Sequence, residues 1–381
     1  MCIRDSLSYE EIEANIKAGK PYVLRLRSQG SPDKEITFVD AIKGEIKLPE
    51  NIHDIVLLKK DGIPTYHFAH AIDDHLMRTT TVVRGGEWLA SAPIHYELFH
   101  LLGFKMPAYA HTAHLMKFDE ETGGKRKLSK RKDPELSLDY YRKDGYHPYT
   151  MKVYLLTLLN SNFEEWHEKF PDKDINEFPF SVEKMNQSGA LFDKDKLHNI
   201  CKNELSKLSE EELYDFLYDW AKENEPENVE KWFGDREKML QILRLYMGVG
   251  AKRRRKDLMY AKQIFELISY FFDGESAEEM DEFKLDEDMV SKILKSYLAK
   301  YDHNDDNSVW FNKLKEIADE HGFASDMKAY KANPENFKGN VSDVAEVVRI
   351  AVTGRANTPD LWTIVHIMGE EQMKERISRF L

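Results

Sequence analysis

The densest group of chemically active side chains is a basic segment that opens with two glycines. Residues 123–132 read GGKRKLSKRK, and six of the last eight are Lys or Arg. Glycine lets a backbone approach a ligand closely, while Lys and Arg stabilise negative charge on a transferring phosphate. The segment therefore predicts a phosphate-binding loop. A solvent-exposed basic patch is the alternative, and composition alone favours it.

Two further groups could do chemistry. Imidazole and carboxylate side chains, which are zinc ligands, stand close together in the segment from His67 to His75. We give a metal site little weight there, because histidines in such stretches usually find local partners. Residues 252–256 read KRRRK, which predicts either a solvated helix end or contacts with a nucleic-acid backbone.

The surrounding pattern indicates how these groups are positioned. From Tyr22 to about Lys117, strand-like and helix-like segments alternate, as is typical of an α/β domain. A capping-box spacing at Ser8 predicts a short helix before them. After about Tyr149 helical periods dominate, including 153–159, 205–220, 239–247, 261–272, 290–298, 310–317 and 341–352.

Composition sets broader limits. The 381 residues suit two or three domains, and 41% hydrophobic content supports folded cores without any apolar run long enough to span a bilayer. Two cysteines, Cys2 and Cys201, favour a reducing compartment, so we expect a cytoplasmic protein without membrane contact. A net charge of −13 argues against an overall basic coat but leaves room for local basic surfaces.

Residues 127–131, KLSKR, resemble the second signature loop of class I aminoacyl-tRNA synthetases in the form found in glutamyl-tRNA synthetases. Other segments look like the same family in the same order. They are DGIPTYHFA at 61–69, DDHLM at 73–77, VVRGGEW at 82–88, SGALFDKDKL at 188–197, and AVTGR at 351–355 with Thr358-Pro359. The resemblance covers essentially everything after the first few residues.

The resemblance implies roles for individual residues. Lys130 matches the catalytic lysine that contacts ATP phosphates, and Arg84 matches the arginine that holds the substrate's side-chain carboxylate. Other matched positions imply ATP binding for Lys127, Ser129, Arg131, Glu87, Leu115 and Met116, and glutamate binding for Tyr66 and His70. The family does not single out Arg253, Arg254 and Arg255, which we predict to bind tRNA from their charge.

Two departures from the family pattern stand out. His70 occupies a position where many members have an asparagine, so the contact with the amino acid differs in charge and reach. The first class I signature, a His-x-Gly-His sequence, does not occur in the 381 residues. We therefore expect that about a quarter to a third of a typical member is missing at the N-terminal side. We favour a truncated reading frame over a natural tRNA-binding fragment.

The fold class implied is α/β, an incomplete Rossmann-like class I catalytic domain, followed by a mostly α-helical anticodon-binding region. The expected domains are 1–148, partial catalytic domain with part of its inserted subdomain; 149–245, helical stem-contact domain; and 246–381, anticodon-binding domain. The implied function is glutamate–tRNA ligation with L-glutamate, ATP, Mg²⁺ and tRNA(Glu). We expect a monomer that is inactive alone. Alternatives are a non-catalytic tRNA-binding fragment or a glutaminyl-tRNA synthetase.

Overall fold

The computed structural model describes residues 7–119, 121–187, 189–272 and 280–381. Met1 to Ser6, with Cys2, and Ser188 of the family-like segment at 188–197 lie outside the described residues. The strands are β1 (Leu24–Arg25), β2 (Glu35–Asp40), β3 (Gly44–Pro49), β4 (Val56–Leu58), β5 (Thr81–Gly85), β6 (Ala108–Thr112), β7 (Leu115–Phe118), β8 (Lys125–Lys127) and β9 (Ala190–Leu191).

Helices provide most of the remaining secondary structure. They are α1 (Tyr9–Lys17), α2 (Tyr66–Leu76), α3 (Ala92–Leu101), α4 (Leu138–Asp144), α5 (Pro148–Leu159), α6 (Phe163–Lys169), α7 (Lys194–Leu205), α8 (Glu210–Asn224), α9 (Val229–Phe233), α10 (Arg236–Met247), α11 (Ala261–Ile268), α12 (Glu287–Lys300), α13 (Asn307–Glu320), α14 (Met327–Ala332), α15 (Val341–Thr353), α16 (Leu361–Met368) and α17 (Glu370–Ser378). In the part of the chain that the structure describes, none of them is long and apolar enough to cross a membrane.

The chain divides into two compact units. The first takes in the described residues of Met1–Asp133 and Val153–Asp193, and the second those of Pro134–Lys152 and Lys194–Leu381. Among the residues that the structure describes, all nine strands lie in the first unit, whereas the second is helical. The expected α/β class followed by a helical region is confirmed. The boundaries at 148 and 245 stay a prediction.

The central sheet of the first unit has the strand order β3-β2-β6-β5. β2 and β3 form an antiparallel hairpin, while β6 runs parallel to both β2 and β5. β2 alternates exposed and buried residues and turns Ile36, Phe38 and Asp40 inward. Phe38 packs with Ala92 of α3 and Tyr109 of β6. Parallel pairing brings the ends of β2, β5 and β6 to one edge of the sheet.

The second unit owes its core to amphipathic helices. Buried apolar residues from Leu205 to Ile377 form one continuous cluster. The helix expected over 205–220 is wrong as a single element, since α7 ends at Leu205 and α8 begins at Glu210. Ser209 caps α8 in a reciprocal capping box with Glu212, and this local hydrogen bonding interrupts the helical period. The capping box expected at Ser8 is present in α1.

Candidate active site

Arg84 and His111 meet because β5 and β6 are parallel neighbours in register. The two residues are paired across the strands, so their side chains lie on the same face of the sheet. Arg84 Nε donates a hydrogen bond of 2.9 Å to His111 Nε2. Asp40, at the end of β2, accepts from His111 Nδ1 at 2.6 Å. A hydrogen-bonded chain of side chains therefore runs from the buried Asp40 and His111 to the half-buried Arg84.

Asp40 is held as a carboxylate by its donors. Its Oδ1 accepts backbone N–H bonds from Ile42 and Lys43, each 2.9 Å, and its Oδ2 accepts the backbone N–H of His111 at 3.0 Å. Burial by itself raises the pKa of Asp40, but the His111 ring and these N–H groups outweigh it, and the net pKa is lowered. Burial lowers the pKa of His111, only partly opposed by Asp40. The pair is thus a carboxylate and a neutral imidazole.

The guanidinium of Arg84 has acceptors on each of its nitrogens. Nη1 lies 3.1 Å from His95 Nδ1, and Nη2 donates to the backbone oxygen of Trp88 at 3.3 Å. The Tyr109 ring lies under the guanidinium, with its centroid 4.8 Å from Cζ. Among the described residues, no carboxylate pairs directly with Arg84. The hydrogen bonds therefore hold the guanidinium in place, and no directly contacting carboxylate of the described residues neutralises its charge.

Aromatic rings enclose this cation. His95 is fully buried and burial, followed by the charges of its neighbours, lowers its pKa to about 2. Its Nε2 lies 2.9 Å from His67 Nδ1. Tyr66 is half exposed, with its ring 4.5 Å from that of Trp88. Neutral imidazoles and aromatic rings therefore lie around the Arg84 guanidinium.

His70 lies beside Tyr66, with stacked rings 5.8 Å apart. Its Nδ1 lies 2.6 Å from an Asp74 oxygen, and its Nε2 lies 2.6 Å from the Tyr109 hydroxyl. Because Asp74 only accepts, Nδ1 carries the proton and Tyr109 donates to Nε2. Both ring nitrogens are therefore used within the protein, so the predicted contact of His70 with an amino acid stays a prediction.

The other histidines of the 67–75 segment also have local partners. His75 stacks on Phe104 with ring centroids 3.7 Å apart, and His67 contacts His95. Within the described residues, no three His, Cys, Asp or Glu side chains converge as metal ligands.

The basic loop predicted at 123–132 begins in the turn of the β7–β8 hairpin, where Gly123 has φ +67°, includes β8 and continues beyond it. Asp133, which is almost wholly buried, accepts 2.7 Å bonds from both terminal nitrogens of Arg126 and a 2.8 Å bond from the Ser129 backbone N–H. Arg126 first, then Ser129, hold the pKa of Asp133 well below its usual range.

The cations near Asp133 in this segment, apart from the partly buried Arg126, are exposed to solvent. Leu128 is buried and bonds through its backbone to Leu115. In contrast, the exposed cationic side chains of the basic segment are Lys125, Lys127, Lys130, Arg131 and Lys132. A fixed backbone with several exposed cations is an arrangement suited to binding a polyphosphate.

Glu87 lies next to this loop. Its carboxylate is 3.7 Å from Lys127 Nζ and 3.4 Å from His114 Nδ1. A Cβ at Gly85 would lie 2.1 Å from a Glu87 carboxylate oxygen, so the absence of a side chain at Gly85 leaves room for the carboxylate in this position. Met116 of β7 pairs with Lys127 of β8. The structure thus brings together Glu87, Met116 and Lys127, three of the positions predicted to bind ATP.

The second basic run borders a cavity of about 690 Å³ in the helical unit. Arg253 and Arg255 line it, together with Arg244, Pro359 and His366. Arg255 forms a 2.6 Å ion pair with Asp257, and Arg254 is exposed without lining the cavity. Two of the three predicted tRNA-binding residues therefore lie together at a concave surface.

Sequence reasoning missed four residues of these sites. Asp40 and His111 lie 71 positions apart and meet only through the sheet. Asp133 was detectable, since an acid directly follows the cationic run at 130–132. His95 gave no distinguishing pattern.

Comparisons with known proteins agree with the architecture. The family described as tRNA synthetases class I (E and Q), catalytic domain, matches residues 3–199, and the family described as anticodon binding domain matches residues 212–381. The chain is 52% identical to a glutamate–tRNA ligase of Acetivibrio thermocellus over 100% of this chain and 69% of that protein. It is 46% identical to a glutamate–tRNA ligase of Clostridium perfringens, covering 98% of this chain and 68% of that one.

Solved structures give the same result. A glutamate–tRNA synthetase from Elizabethkingia anophelis superposes with a TM-score of 0.68 at 26% identity, over 99% of this chain and 71% of that one. A glutamate tRNA ligase from Elizabethkingia meningosepticum, in complex with its amino acid, gives a TM-score of 0.71 at 24% identity, over the same shares of the two chains. The second likeness supports the fold.

Proposed function

The chain belongs to the class I glutamate–tRNA ligase family, and on that basis we propose that its sites serve the two steps of glutamate–tRNA ligation. In the first step, the α-carboxylate of L-glutamate attacks the α-phosphorus of ATP, which gives glutamyl-adenylate and releases pyrophosphate. In the second, a terminal ribose hydroxyl of tRNA(Glu) attacks the activated carbonyl and AMP leaves. Such a protein acts mainly by positioning and charge stabilisation.

The observation that carries this proposal is that the Arg84 guanidinium has only neutral hydrogen-bond acceptors. The three acceptors on its nitrogens are neutral, so the guanidinium keeps its positive charge available for a ligand. A planar guanidinium binds a carboxylate through two parallel, charge-assisted hydrogen bonds. We propose that it receives the side-chain carboxylate of glutamate, with Tyr66 and His70 forming the wall beside it.

The basic loop is proposed to bind ATP. Lys130 is exposed, and no carboxylate of the described residues pairs with it. A mobile ammonium at this position would stabilise the charge of departing pyrophosphate, helped by Lys127, Ser129 and Arg131. The backbone of Leu115 and Met116, with Glu87 nearby, is proposed to border the nucleoside. Because the loop presents cations, we propose that Mg²⁺ arrives bound to the phosphates of ATP as part of the substrate.

The helical unit is proposed to bind tRNA(Glu). Arg253, Arg254 and Arg255 add three positive charges at or near one cavity, which suits contacts with a phosphate backbone. We propose that the chain acts as a cytoplasmic monomer. A glutaminyl-tRNA synthetase is not favoured, because the curated relatives given above are named glutamate–tRNA ligases.

Calorimetric titration of the 381-residue chain with L-glutamate and L-glutamine tests the amino-acid site. We expect the unaltered protein to prefer glutamate and Arg84→Gln to weaken glutamate binding by about ten-fold to a hundred-fold. Arg236→Gln is the matched control, since Arg236 pairs with Glu211 in the helical unit. Equal affinity of the unaltered chain for both amino acids would contradict the proposal.

A further inference from the structure

The hydrogen bonds that link Asp40, His111 and Arg84 allow only one arrangement of protons. All four neighbours of the Asp40 carboxylate are donors, namely three backbone N–H groups and the His111 ring. His111 must therefore carry its proton on Nδ1, which leaves a lone pair on Nε2. That lone pair accepts the Arg84 Nε–H at 2.9 Å. Asp40 thus fixes the tautomer of His111, and this tautomer presents the Nε2 lone pair to Arg84 as an acceptor.

The Arg84 guanidinium has two more N–H donors than its three acceptors use. Arginine has five N–H donors, and His111, His95 and Trp88 accept one each from different nitrogens. One N–H remains on each terminal nitrogen. Two such donors match the two oxygens of a carboxylate. A carboxamide offers one oxygen and one NH₂ group, so one donor would face another donor.

We propose that His111, held by Asp40, is a positioning residue that fixes how Arg84 presents its two terminal nitrogens, and that it thereby selects a substrate carboxylate over a carboxamide. This inference rests on the proposed glutamate site. An imidazole suits the task because it accepts the Nε–H without carrying negative charge itself. A carboxylate in direct contact would orient Arg84 equally well but would compete with the substrate for its charge.

Two substitutions separate the steps of the chain. In Asp40→Asn the side-chain oxygen can keep the N–H bonds of Ile42 and Lys43, but its NH₂ group then faces both the ring and the backbone N–H of His111. The His111 proton must move to Nε2, where it opposes the Arg84 Nε–H. His111→Leu removes the acceptor altogether. His111→Gln restores an acceptor amide oxygen near the position of Nε2 and is the conservative variant.

The first measurement uses the ligand-free 381-residue protein with ¹⁵N-labelled Arg and His. Nitrogen shifts of the His111 ring report its tautomer, and exchange of the Arg84 Nε–H with solvent reports its hydrogen bond. We expect the tautomer to invert in Asp40→Asn. Exchange should accelerate about ten-fold or more in Asp40→Asn and in His111→Leu, with partial recovery in His111→Gln. Unchanged exchange in the first two variants would overturn the inference.

The second measurement compares the affinities of these variants for L-glutamate and L-glutamine by calorimetry. We expect Asp40→Asn and His111→Leu to lose about ten-fold in glutamate affinity while glutamine affinity changes by less than about two-fold, with His111→Gln between them. His198→Gln, which breaks a bond to Tyr146 in the helical unit, is the matched control. Equal losses for both ligands would indicate a merely structural role and overturn the selection.

The two proposals fail in different ways. If the unaltered chain does not bind glutamate, the proposed function is wrong. The exchange of the Arg84 Nε–H in ligand-free protein still decides whether His111 positions Arg84.

Discussion

Replacing Asp133 by Asn should loosen the basic loop without unfolding the protein. The Asp133 side chain is 1% exposed, and it joins the Ser129 backbone to Arg126 through three hydrogen bonds of 2.7–2.8 Å. Asn keeps the shape of the side chain but loses the charge, and it replaces one acceptor oxygen with a donor. At least one of the three N–H donors then has no acceptor.

The size of the effect follows from these contacts. A hydrogen bond to a charged group contributes about 1.5–3 kcal/mol, and breaking a fully buried ion pair costs about 3–5 kcal/mol. The Arg126 side chain is 31% exposed, so water compensates part of the loss. We expect the loop to open more easily by about 2 kcal/mol, which corresponds to an open population about 30-fold larger.

Amide hydrogen exchange of the full chain measures this population directly. The backbone amides of Leu128 and Ser129 should exchange about 30-fold faster in Asp133→Asn, while amides of β5 and β6 keep their rates. Because the pKa of Asp133 is lowered by folding, its contribution is present above the unfolded pKa of about 3.9 and is lost as pH falls through the folded value. The difference between the proteins should therefore be the same at pH 7 and pH 5.

The control is Asp139→Asn, which removes an exposed negative charge from the first turn of α4. It should leave the exchange of Leu128 and Ser129 within about three-fold of the unaltered protein. An Asp133→Asn protein that also stayed within that range, or equal acceleration in both variants, would contradict a role for Asp133 in holding the loop. Acceleration throughout β5 and β6 would show that Asp133 stabilises the whole unit rather than the loop.

Further predictions concern pH, catalysis and tRNA. Folding lowers the pKa of His95 to about 2, so the unfolded chain binds more protons between that value and about pH 6.5, and stability falls with decreasing pH in this window. Urea unfolding should give a loss of about 2 kcal/mol between pH 7.5 and pH 5.0 from His95 alone, and His95→Gln should show a correspondingly smaller loss. Without a His-x-Gly-His sequence, the 381-residue chain should show no glutamate-dependent ATP–pyrophosphate exchange above background, and clear exchange would contradict this. Lys130→Ala should weaken ATP binding and leave the calorimetric affinity for glutamate unchanged, since the two sites use different cations. Filter binding of tRNA over a salt series should give a steep slope that falls by about 0.9 for each of Arg253→Ala and Arg255→Ala, whereas a slope that both variants leave unchanged would place the tRNA elsewhere.

Local patterns predicted the elements of this fold better than its contacts. The α/β half and the helical half follow from hydrophobic period alone, and the capping box at Ser8 predicted the start of α1. The helix expected over 205–220 failed because Ser209 forms its own capping box and starts a new helix there. Periodicity continues across such a break, so it gives no warning of it.

Candidate site residues could be named from the sequence only where they stand within one short segment. Arg84 and Lys130 stand in recognisable motifs. The contact of His111 with Arg84, in contrast, depends on the strand register that pairs the two residues across β5 and β6. Asp40 offered a clue, because the alternation of Ile36, Phe38 and Asp40 places an acid at an inward position of β2. A buried acid needs donors. Its sequence neighbours supply only part of that set, and His111 supplies the rest.

Asp40 and Asp133 each help to position a cation that they do not contact. Each is a buried carboxylate whose donors hold its pKa low, and each supports a cation that is proposed to meet substrate. Neither touches that cation directly, since Asp40 acts through His111 on Arg84 and Asp133 acts through the backbone near Lys130. A direct ion pair would fix the cation more firmly but would neutralise it before substrate arrives. Placing one neutral group between carboxylate and cation keeps the geometry and leaves the charge available.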